Sequence, residues 1–150
     1  MSGASDLYQQ VILEHNKKPR NFRKIDGSTH SAEGFNPLCG DHLWVYLTIS
    51  ESGTIEDAAF EGSGCAISKA SASLMTTVLK GRTVDEARTL FREFQELLTK
   101  KLDPDKDPNT LGKLKIFSGI WRYPARVKCA ALSWHALSGA LSRLQSVSTE

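Results

Sequence analysis

Apolar and polar positions along the chain switch between two periods, and the switches mark the elements. From residue 5 to 16, Leu7, Tyr8, Val11, Ile12 and His15 fall at helical spacing, with Ser5 as the expected N-cap. The pattern stops at Lys17-Lys18-Pro19, because proline disfavours helical geometry in the residue before it. From His42 to Ser50 the period drops to two: Leu43, Val45, Leu47 and Ile49 share one face, Trp44, Tyr46 and Thr48 the other. Glu51-Ser52-Gly53 reads as a turn, and Thr54 to Glu61 as the returning strand of a β-hairpin. Thr29 to Phe35 supplies a third strand.

Helical spacing returns from Ala66 to Lys80, where Ile67, Ala70, Leu74 and Val78 recur and many small residues favour close packing on the sheet. Gly81 ends it. Thr83 and Glu86 then fit a capping box, opening a helix that carries Ala87, Leu90, Phe91, Phe94, Leu97 and Leu98 on one side. Asp103 to Asn109 is a loop by composition, and a short apolar stretch runs from Leu114 to Trp121. Pro124 suits the first position of a last helix, Ala125 to Gln145, with Val127, Ala131, Trp134, Leu137, Leu141 and Leu144 facing inward. Strands first and helices after, without internal repeats, predict one α+β domain over residues 1–150.

A chain of 150 residues buries roughly 68–70% of its unfolded surface, so it builds a core without needing a metal to fold. The 19 Lys and Arg against 17 Asp and Glu leave a net charge of +2, too little to argue for nucleic acid. Five basic residues between Lys17 and Lys24 read as a solvated loop or as a docking patch for an acidic partner. No apolar run approaches the ~20 residues of a membrane helix, and Met1 to Asp6 lacks the pattern of a signal peptide. Three cysteines is an odd number, which excludes a closed disulfide framework within the chain. The expected compartment is a reducing cytosol, where thiols serve as ligands or nucleophiles.

Three thiols and one carboxylate complete a tetrahedral donor set. Cys39 and Asp41 flank Gly40; in an extended segment both side chains reach the same side. Cys65 follows Gly62-Ser63-Gly64 at a helix N-terminus, where the dipole favours a thiolate. Cys129 lies early in the last helix beside Arg126 and Lys128, whose charges favour the ionised sulfur. Each also has a plainer reading: a turn beside a buried cysteine, a small buried hydrophobe, a structural cysteine. With 25 residues between the first two thiols and 63 between the last two, the spacing matches no compact zinc knuckle. His15, His30, His42 and His135 lack a partner motif and read as surface or packing residues. A hydrolase zinc site is disfavoured, since no motif of the HExxH kind is present.

Taken in order, Cys39-Gly40-Asp41, Gly64-Cys65 and Lys128-Cys129 resemble the three cysteine regions of the U-type iron–sulfur assembly proteins, the IscU/NifU-like family. The resemblance runs from the Leu7-Tyr8 helix to the Trp134-His135-Ala136-Leu137 helix. Lys128, where scaffold members carry histidine, and the stretch Pro108 to Arg126 are similar to the SufU branch. The resemblance implies an α+β fold, a three-stranded antiparallel sheet packed by helices, of the SufE/IscU-like kind. It implies Zn(2+) held by Cys39, Asp41, Cys65 and Cys129. It further implies a sulfur acceptor for a SufS-type pyridoxal-phosphate cysteine desulfurase, with downstream cluster scaffold proteins as further partners. On that view Cys39 is the acceptor thiolate, freed when the partner supplies a replacement ligand, and Arg126 steadies the site. Two alternatives use the same ligands: a scaffold holding a transient iron–sulfur cluster, and a structural zinc domain without chemistry.

Overall fold

The computed structural model describes residues 3–143 and 146–148. Helix α1 spans Gly3–Lys17, beginning ahead of the expected Ser5 cap and ending before Pro19 as the sequence requires. Three strands follow, β1 (His30–Asn36), β2 (Asp41–Ile49) and β3 (Ile55–Ser63), each antiparallel to its neighbour. They match the expected three-stranded antiparallel sheet. A short strand β4 (Ser146–Ser148) adds a parallel edge to β1, giving the order β3-β2-β1-β4.

The inward face of β2 is the predicted one, with Leu43, Val45 and Leu47 fully buried. Helix α2 (Ala66–Leu79) and helix α4 (Pro124–Leu141) pack on that side of the sheet. Small residues let them approach closely: Gly34 of β1 faces Leu132 and Ala136 of α4. Helix α3 (Val84–Leu98) starts at the predicted capping box, the Thr83 hydroxyl accepting from Glu86 N at 3.1 Å and the Glu86 carboxylate from Thr83 N at 2.9 Å. Trp134 centres the core. It stacks on Phe94 at 4.7 Å, and its indole donates to Ser71 Oγ at 3.2 Å.

Helix α4 stops at Leu141 rather than Gln145, because Arg143 takes a left-handed φ of 59° that breaks the helical path. The expected inward positions Leu144 and Gln145 lie outside the described residues. The apolar stretch before Pro124 folds as two 3₁₀ turns, Gly112–Phe117 and Ile120–Arg122. In the basic cluster, Arg20 pairs with Glu14 at 2.8 Å and Arg23 with Asp57 at 2.7 Å, which favours the solvated-loop reading. Among the described residues no helix is long and apolar enough to cross a membrane.

Gly62 tests the sheet register. It faces Leu43 across the β2–β3 ladder with φ +131°, and a Cβ there would overlap the His42 carbonyl and stand 2.9 Å from Leu43 Cα. Gly62→Ala is therefore expected to cost about 1–3 kcal/mol, read as a fall in the urea midpoint. An alanine variant as stable as the parent would contradict this register.

Candidate metal centre

Asp41 is the first residue of β2, and its carboxylate is buried, with 1% exposure. Its Oδ1 accepts the backbone N–H of Cys65 at 2.9 Å, and the Cys65 thiol lies 3.9 Å from Oδ2. Strand register produces this meeting. His42 pairs with Ser63, so the start of β2 lies beside the end of β3, which runs through Gly64 into α2.

Cys39 sits in the turn joining β1 to β2, and it is exposed. Asn36 builds that turn: its carbonyl accepts from Cys39 N at 3.3 Å and Gly40 N at 2.8 Å, its side-chain oxygen from Leu38 N at 3.2 Å. Gly40 holds φ +72°, and a Cβ there would meet nothing within 4 Å. Glycine is thus needed for backbone geometry, and the segment turns at Gly40 instead of running extended from Cys39 to Asp41.

Cys129 arrives from the second turn of α4 and is buried. Its sulfur is 3.5 Å from that of Cys39. Ligand atoms of Cys39, Asp41 and Cys129 all lie within 4.8 Å of one another. Cys65 borders this group from the Asp41 side. Its sulfur is turned back as the N-cap of α2, accepting from Ser68 N at 3.4 Å.

Among the described residues no Lys, Arg or His pairs with the Asp41 carboxylate. A buried carboxylate is costly without a cation, and three sulfurs converge on this one. Zinc takes thiolate and carboxylate ligands in tetrahedral sets, so the donor chemistry suits it. The histidines are engaged elsewhere: His15 with Ser73 at 2.7 Å, His30 with Thr29 at 2.9 Å, His42 with Glu33 at 2.6 Å, and His135 edge-on to Phe91.

The thiols differ in acidity. Cys65 is pulled down to about 6, first by the hydrogen bond from the Cys129 thiol and then by the Ser68 N–H; burial works against both. Cys129 is pushed far up by its bond to Cys65, by burial and by Cys39. The two cations expected to help at Cys129 are engaged with other groups. Lys128 lines a separate groove with Leu98 and Trp121, and the Arg126 guanidinium lies over the Tyr123 ring at 4.5 Å. Sequence reasoning missed Asn36, Ser68 and Tyr8. Asn36-Pro37 was the available signal for the turn, and Ser68 stands at the third helical position, where an N-cap finds its donor. Nothing in the sequence signalled that the Tyr8 hydroxyl is buried without a hydrogen-bond partner among the described residues.

With this geometry in place, residues 7–130 match the NifU-like N terminal domain family, and the chain belongs to it. It is 41% identical over 91% of its length to the zinc-dependent sulfurtransferase SufU of Bacillus subtilis, 90% of which is covered. It is 35% identical over 95% of its length to the iron–sulfur cluster assembly scaffold protein IscU of Streptococcus pyogenes, covering 87% of that protein. A crystal structure described as a candidate iron–sulfur cluster assembly scaffold protein for the SUF system from Fervidobacterium islandicum superposes with TM-score 0.83 at 34% identity. The match covers 93% of this chain and 99% of that one.

Zinc is expected to bind at about one equivalent per chain, because Cys39, Asp41 and Cys129 form one cluster and Cys65, turning from its cap toward it, would complete one tetrahedral set. Asp41→Ala should weaken it by at least about tenfold in a competitive chelator titration while the circular dichroism spectrum stays unchanged. Full affinity after loss of both Asp41 and Cys65 would contradict the site. Removing zinc should lower the melting temperature without unfolding the chain at 25 °C. Zinc contributes roughly 10–16 kcal/mol in finger peptides against a domain's total of about 5–15 kcal/mol, but here the Trp134 core stands independently of the thiols. Loss of the helical signal on chelation would show the core to be insufficient.

Proposed function

We propose that residues 1–150 form one zinc-dependent sulfur acceptor serving iron–sulfur cluster assembly, charged by a pyridoxal-phosphate cysteine desulfurase. One observation carries this reading: Cys39 is the exposed thiol of the cluster, on a turn, whereas Cys129 and Asp41 are buried. A partner protein can reach Cys39 without disturbing the core. Asp41, Cys65 and Cys129 would keep the ion. Bound zinc would supply thiolates at neutral pH, since a coordinating thiol is deprotonated outright.

Cys39 Sγ then acts as nucleophile toward the outer sulfur of a donor persulfide. A new S–S bond forms at Cys39, the donor's S–S bond breaks, and the electron pair stays on the donor cysteine. The exchange needs no external oxidant. Arg126, one turn before Cys129 on α4, is assigned to steadying the charged site once Cys39 moves. The relative named a zinc-dependent sulfurtransferase supports the sulfur-acceptor reading.

A second reading, a scaffold holding a transient iron–sulfur cluster on the same donors, is favoured by the relative named IscU. Metal content separates the two: colourless zinc protein supports the acceptor, brown protein with iron and sulfide the scaffold. Cys39→Ser is expected to abolish stimulation of the desulfurase while some zinc is retained. Substitutions of Cys65 or Cys129 should lose activity in parallel with metal. Normal stimulation by Cys39→Ser protein, or a persulfide mapped by mass spectrometry to Cys65 or Cys129, would overturn the acceptor assignment.

A further inference from the structure

Beside the thiols lies a cleft of about 540 Å³ between α1 and the two 3₁₀ turns before α4. Lys115, Arg122 and Arg126 line it together with Tyr8, Gln9 and Tyr123, and no acidic residue is among its lining residues. None of the three cations has an acidic partner among the described residues. Arg126 ties the cleft to the metal centre: it lines the cleft and stands one turn before Cys129 on α4, whose sulfur is 3.5 Å from that of Cys39. Clefts of this size hold small molecules, and unpaired guanidinium groups bind carboxylates through paired, charge-assisted hydrogen bonds.

We propose that this cleft binds the carboxylate of a low-molecular-weight thiol, which removes sulfur from the Cys39 persulfide. The proposal rests on Cys39 being the sulfur acceptor. The bound thiolate attacks the outer sulfur of the Cys39 persulfide; a new S–S bond forms on the small thiol, the S–S bond at Cys39 breaks, and the electron pair returns to Cys39 Sγ. Arg122 and Lys115 hold the carboxylate from the cleft side away from the ion. Arg126, which lines the cleft one turn before Cys129, orients it.

The test has a binding arm and a transfer arm. In the first, methylthiopropionate, which has no free thiol, is titrated into zinc-loaded protein and the backbone amide signals of residues 115–126 are followed. Saturable shifts are expected, weakened about tenfold or more by Arg122→Gln with Lys115→Gln, the loss of charge-assisted hydrogen bonds. In the second, protein persulfidated by desulfurase and freed of donor receives mercaptopropionate or mercaptoethanol, and persulfide loss is timed by mass spectrometry. The double variant should slow discharge by mercaptopropionate about tenfold and leave mercaptoethanol unaffected. Absence of saturable shifts, or equal discharge by mercaptopropionate in parent and variant, overturns the proposal. Failure of Cys39 to accept sulfur at all overturns the acceptor reading and the transfer step with it; the binding arm then decides the carboxylate site by itself.

Discussion

The buried carboxylate of Asp41 is the constraint around which the site is assembled. It sits at the first position of β2 and receives the N–H that opens α2, so one group links the β1–β2 turn to the start of a helix 24 residues later. That link exists only when β2 and β3 are in register. A slip of one residue would turn every side chain of β2 to the other face, sending Asp41 outward and Leu43, Val45 and Leu47 into solvent. The hydrophobic faces that stabilise the sheet therefore also fix the donor atoms. Cys129 depends on a second packing event, the seating of α4 on β1 through Gly34, Leu132 and Ala136.

The three thiols occupy different environments, and the differences suit a division of labour. Cys129 is carried by a buried helix turn and favours its protonated form when metal-free. Cys65 is fixed by its place as helix cap, and its thiolate is favoured by the Cys129 hydrogen bond and the Ser68 N–H. Cys39 hangs from a short turn held by Asn36 and reaches the surface. A thiol that must meet another protein's sulfur needs access more than rigidity. A thiol that must retain an ion needs the reverse.

Most elements were legible because their signals are local. Alternation in β2, the Thr83–Glu86 box and Pro124 at a helix start each depend on a few adjacent residues, and each held. The end of α4 and the short edge strand β4 were not legible. The first turns on a single backbone conformation at Arg143, the second on pairing with a strand far away in sequence. For the site, residue types pointed to Cys39, Asp41, Cys65 and Cys129, but acidity was misjudged at Cys129. Sequence adjacency to Arg126 and Lys128 suggested cationic help, whereas a helix sends neighbouring side chains in different directions. The sulfur in contact with that thiol, Cys39 at 3.5 Å, comes from a turn 90 residues earlier in the chain.

Electrostatics connects the cleft to the metal centre. On the proposed reading, three thiolates and a carboxylate would carry about four negative charges against two on a zinc ion, leaving a closed site with about two in excess. That excess repels any anionic sulfur carrier, and the repulsion strengthens where burial lowers the effective dielectric. The cations of the cleft adjoin the site through Arg126, on the helix that also carries Cys129. Those cations would make the Arg122–Arg126 flank less hostile to anions than the excess charge alone would leave it. An approaching anion is steered by such asymmetry before it makes contact. The two 3₁₀ turns between α3 and α4 place Lys115 and Arg122 along the cleft, and on the proposed reading that segment would guide an anionic thiol as well as join two helices.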